Sequence, residues 1–131
     1  MNDLTDATIF SKFYPIIFEK AVRKADLKPM LSDLIQSIGS PLSHNGVIVG
    51  HIKLVAEILN EEFLFLSLTR LDQGDVTVSA NWTDQGDDIV GMVLKINVLV
   101  FGHSKNNITE VVGTALREFS PNKIHSHMVP I

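Results

Sequence analysis

The chain has 131 residues, no cysteine, 45% apolar and 20% charged residues, and a net charge of -4. This length and ordinary globular mix predict one folded α+β domain over 1–131 and exclude wholesale disorder. The missing cysteines remove disulfides, thiolate metal sites, Fe–S clusters and cysteine nucleophiles together, and the acidic balance without a basic block argues against a nucleic-acid partner.

Residues 4–38 read as helical. Leu4, Ile9, Phe10, Phe13, Ile16, Ile17 and Ala21 recur at helical spacing. Pro15 interrupts them, either ending a short helix near Phe13 or opening a second one that runs to about Asp26. Pro29 opens a further helix with Met30, Leu31, Leu34, Ile35 and Ile38 on its apolar side, and Gly39 is its expected stop. Residues 39–46 are loop by composition.

From 47 to 101 the period changes to two. Strand-like runs cover about 47–59, 63–70, 76–83 and 89–101, with short polar breaks between them. Loops this short predict hairpins, and hence a four-stranded antiparallel β-meander. Pairing Leu59 with Phe63, Arg70 with Val76 and Thr83 with Ile89 puts apolar residues on one face throughout. That face holds Ile52, Leu54, Ala56, Ile58, Leu64, Leu66, Leu68, Val76, Val78, Ala80, Trp82, Val90, Met92, Leu94 and Ile96. It is the expected core wall.

Residues 107–119 return to helical period. Asn107 and Glu110 have capping-box spacing, and Ile108, Val111, Val112, Ala115, Leu116 and Phe119 form one stripe, so this helix is expected to pack on one face of the sheet. Residues 120–131 form a tail without an assigned role. Its His125 and His127 alternate as a chelating pair would.

The second face of the sheet is polar and apolar together. One expected row runs Lys53, Thr69, Thr77, Lys95, and the next runs Val55, Ser67, Ser79, Val93. Two readings stand: a solvated face, since Thr–Thr and Ser–Ser cross-strand pairs are good sheet formers in their own right, or a binding surface or subunit interface, since Val55, Phe65, Val93, Leu99 and Phe101 are more apolar than water contact needs. The last strand, almost unbroken in apolar residues up to Phe101, would also be a hazard if left as a bare edge, so it is expected to pair with another subunit, or with the first strand if the sheet closes. The first expectation is therefore a homo-oligomeric interaction or assembly module.

The second expectation is a small-molecule-binding protein or small enzyme. His51, Lys53, Thr69, Thr77, Lys95 and Asn97 would hold a small anionic ligand, and His44, His51 and His103 fall at one end of the sheet, where a divalent metal would need a closed barrel, a neighbouring subunit or a folded-over loop to bring them together, because the first and last strands of an open meander lie about 14 Å apart. No dinucleotide fingerprint, P-loop, H-E-x-x-H, G-x-S-x-G or EF-hand pattern is present in the sequence, so no cofactor or reaction is assigned. No run approaches 18 apolar residues, and Asp3 and Asp6 stand where a secretory leader would be basic. No membrane partner is expected, and a cytoplasmic location suits the lack of cysteine.

Overall fold

A computed structural model describes residues 6–123 and 126–128. It is an α+β architecture. In chain order the elements are β1 (Ala7–Val22), α1 (Lys24–Leu42), β2 (Val47–Glu57), a 3-10 turn (Leu59–Glu61), β3 (Phe63–Arg70), β4 (Gly74–Val78), β5 (Ile89–Phe101), α2 (Lys105–Lys123) and β6 (Ser126–Met128). The sheet is antiparallel and open, in the order β4-β3-β2-β5-β1-β6.

The largest departure from expectation is β1. The N-terminal segment read as helical is a 16-residue strand. Phe10, Tyr14, Ile16, Phe18 and Val22 turn inward, while Ile9, Phe13 and Ile17 stay exposed on the opposite face. With apolar residues on both faces the alternation vanishes, and what remains imitates a helical stripe. Pairing with β5 decides the conformation, from Ala7 opposite Phe101 to Ile17 opposite Gly91. Pro15 is tolerated because only the short β6 lies outside β1.

The meander expectation is corrected with it. β2, β3 and β4 do follow one another as hairpin neighbours, but β5 crosses back and lies between β2 and β1. The last long strand is therefore central rather than an edge, which accounts for its near-continuous apolar sequence. Registers shift by even steps from those expected. Phe63 faces Glu57 rather than Leu59, and Leu68 rather than Arg70 marks the end of the β3–β4 ladder, opposite Gly74. An even shift leaves every side chain on its expected face. Val76 and Val90, placed on the core wall by alternation, are exposed.

Helix α1 begins at Lys24, ahead of Pro29, and runs through Gly39 to Leu42. Gly39 does not stop the helix. It is buried where a Cβ would lie 2.5 Å from the Leu68 side chain, so its role is to let the helix sit close on the sheet. The turn into β2 is made by Asn45 and Gly46, both at positive φ, with paired backbone hydrogen bonds between His44 and Val47. This is the two-residue hairpin geometry that Asn-Gly favours. Helix α2 starts earlier than expected. Ser104, not Asn107, supplies the cap, its hydroxyl accepting from the Asn107 amide.

The predicted stripe of α2 is buried at Ile108, Val112, Ala115, Leu116 and Phe119, joining Leu27, Leu31, Leu34, Ile35 and Ile38 of α1. Both helices pack on the same side of the sheet, against Leu54, Leu64, Leu66, Leu68, Leu94 and Ile96. Burying each of these large side chains is worth about 1.5–3 kcal/mol before entropy is subtracted. Gly50, at φ +130, fits close against β5: a Cβ there would fall 1.9 Å from the Leu99 carbonyl oxygen.

Candidate functional site

The face away from the helices is the candidate. Cross-strand pairing sets its rows. One row reads Thr77, Phe65, Val55, Lys95, Phe13 from β4 to β1. The next reads Asp75, Ser67, Lys53, Asn97, Ser11. On the other side lies Phe63, Glu57, Val93, Pro15. These rows replace the expected ones, because the register shift brings Ser67 rather than Thr69 beside Lys53. All six expected ligand-binding residues nevertheless share this face. Lys53 and Asn97 are direct partners, His51 and Lys95 stand two residues along their strands on opposite sides of that pair, Thr69 is two residues beyond Ser67, and Thr77 lies opposite Phe65.

Two features dominate its chemistry. The first is apolar exposure: Ile9 is 58%, Phe13 41% and Ile17 65% exposed, and Val93, Leu99, Phe101, Val55 and Phe65 are half-buried around them. The second is a compact ion pair within this surface. The Lys95 ammonium donates to Glu57 Oε2 at 2.9 Å and lies 5.0 Å from the centre of the Phe13 ring. Opposite charge and the negative ring face hold the lysine over the sheet instead of letting it extend into water. Beside it, Ser11 donates to Asn97 Oδ1 at 2.7 Å. Lys53 is half-buried and has no ion pair among the described residues.

The expected histidine cluster divides. His44 and His103 do meet, with ring centres 6.1 Å apart. Both nitrogens of His103 are used in the structure: Nε2 lies 3.1 Å from the Leu42 carbonyl oxygen and Nδ1 lies 3.1 Å from the Asn107 side-chain nitrogen. With Nε2 donating and Nδ1 accepting, the ring links the end of α1 to the start of α2. His51 sits on the open face opposite Leu99, and its buried Nδ1 has no hydrogen-bond partner among the described residues. Among the described residues no three His, Cys, Asp or Glu side chains gather as metal ligands would. His125 lies outside the described residues, and only the backbone of His127 is described, opposite Ile17.

A second cluster escaped sequence reasoning. Lys24, at the start of α1, is only 5% exposed; its ammonium pairs with Glu62 and lies 4.8 Å from the centre of the Trp82 ring. The segment between β4 and β5 folds over it. A Cβ on Gly86 would come within 2.8 Å of the Lys24 nitrogen, and Trp82 Nε1 donates to Asp84, which also pairs with Lys28 at 3.8 Å. The acidic turn at 84–88 thus closes on α1. No local pattern signals a pair of residues this distant in sequence.

No helix among the described residues is long and apolar enough to cross a membrane. Comparison with protein-family models, with curated proteins and with solved structures finds no match to this chain.

Proposed function

We propose that this protein is a homo-oligomeric interaction module whose docking surface is the open face of the sheet. The observation that carries the reading is the exposure of Ile9, Phe13 and Ile17 on a face that neither helix covers. An apolar patch rimmed by polar groups costs solubility unless something covers it. Five strands at about 4.8 Å and eight residue steps at about 3.3 Å give the face a projected area of about 600 Å² before side-chain relief is added. That approaches the roughly 800 Å² that each partner contributes to a stable interface. A second copy is the occupant: it brings the same aromatic and aliphatic side chains and the same balanced Lys95–Glu57 pair, as a self-complementary interface requires.

Sedimentation velocity over a concentration series tests this reading. The wild type is expected to sediment as an oligomer and Phe13→Glu as a monomer. Wild-type protein that remains a monomer at its highest soluble concentration would overturn it.

A second reading has one observation in its favour. Lys53, with no ion pair among the described residues, is half-buried on the open face with Asn97 opposite it, and its ammonium would accept the company of an anion. Inorganic phosphate is the probe. Saturable binding by the wild type, lost in Lys53→Met, would support a small-anion site there.

A further inference from the structure

We infer that the two copies meet with their two-fold axis beside the Lys95–Glu57 pair, so that each Lys95 also reaches the Glu57 of the second copy and four charges close into one cluster. This rests on the homo-oligomer reading and specifies its recognition contact.

The argument begins with what covering the face does to its charges. Lys95 is 29% exposed and Glu57 48%, so both still keep part of their water. An apolar occupant would remove that water and leave each group with a single partner, at a desolvation cost that one ion pair does not repay. A second copy, centred here, offers each ammonium a second carboxylate and each carboxylate a second ammonium. No new net charge enters, because the pair is neutral by itself.

Symmetry narrows the choice. Residues at a two-fold axis meet their own copies. An axis over Lys53 would set an unpaired lysine against itself, and one over Lys95 alone would do the same. Among the described residues Lys95–Glu57 is the one ion pair on this face, so self-contact beside it is balanced. It is also the centre of the apolar surface. Phe13 flanks it on β1, Val55 and Phe65 flank it toward β3, and Val93 lies opposite Glu57 on β5. Packed sheets are rotated by about 30° relative to each other and stand about 10 Å apart. Side chains nearest the centre of the contact are displaced least by that rotation, so a charge cluster there survives the twist. Lys53 lies in the adjoining row on β2, opposite Asn97, and His51 one row further out, opposite Leu99.

The cluster makes self-recognition testable by charge. Lys95→Glu puts four carboxylates around the axis of its own dimer, and Glu57→Lys puts four ammonium groups there. Like charges so placed weaken association by roughly 100-fold or more. Mixed together, the two variants restore two charges of each sign. Native mass spectrometry resolves the mixed dimer by mass. Each variant alone is expected to be monomeric, their mixture to give a one-to-one heterodimer, and the swapped double variant Lys95→Glu/Glu57→Lys to dimerise again. Single variants that dimerise like the wild type would overturn the placement of the axis while leaving the oligomer reading intact. Monomeric variants that mixing fails to rescue would also overturn it, because the loss would then come from the pair within one chain. A monomeric wild type would overturn the oligomer reading itself.

Discussion

The two faces of the sheet are built from the same strands yet answer different demands. On the helix side, Leu54, Leu64, Leu66, Leu68, Leu94 and Ile96 are essentially without exposure and contain no charge. On the open side, apolar side chains of similar size remain half in water and are interleaved with Lys53, Lys95, Glu57, Ser67 and Asn97. The first composition suits permanent burial. The second suits a surface that is alternately wet and covered, with enough polar groups to remain soluble and enough apolar area to associate. The difference teaches that alternation alone identifies two faces, and that the placement of charge tells which is core and which is contact.

The sharpest way to break the covered side is to leave a charge unpaired within it. Lys24→Ala strands Glu62 and is expected to cost about 3–5 kcal/mol in urea unfolding. Replacing the pair with Lys24→Met/Glu62→Leu should be close to neutral by the same measurement. Leu66→Ala comes next, at about 2–5 kcal/mol for a cavity in the core. Phe13→Ala on the open face, measured under dilute conditions, should stay within about 0.5 kcal/mol of the wild type. A large loss there would mean that Phe13 is core.

The smallest effect concerns Tyr14, the single tyrosine, which lies on the covered face of β1. Burial pushes its phenol above the ordinary value of about 10. The unfolded chain then releases this proton before the folded chain does. The stabilisation is complete below the unfolded value and is lost as pH rises through the folded one. Absorbance titration of the native protein should show the phenolate appearing later than in denaturant. Coincident curves would remove Tyr14 from the covered face.

The sequence carried much of this and missed the rest for identifiable reasons. The alternation from Ile52 to Ile96 assigned side chains to faces correctly at most positions, because even register shifts do not change a face. It left open whether β5 pairs with another subunit or with β2, and tied the second choice to a closed sheet, whereas β5 lies beside β2 in an open one. That pairing joins segments far apart in sequence, and no hairpin turn announces it. The Lys95–Glu57 contact depends on it, so the central feature of the candidate site was hidden, although both residues could be placed on the same face. β1 was misread because Ile9, Phe13 and Ile17 are apolar on the side where a half-buried strand would be polar. The same residues that disguise the strand define the proposed contact. Residue type alone reads Gly39 as a helix stop, whereas its neighbour Leu68 explains it. The Lys24–Glu62 pair had no sequence signal at all.

Hydroxyl-radical footprinting of concentrated and diluted protein tests the central claim most directly, since it reads each face separately. Protection on concentration is expected at Phe13, Ile17 and Phe63 of the open face, while Leu59, 74% exposed in the turn after β2, keeps its reactivity. Equal reactivity of Phe13 and Ile17 at both concentrations, or protection at Leu59 without protection at Phe13, would contradict an interface on the open sheet face.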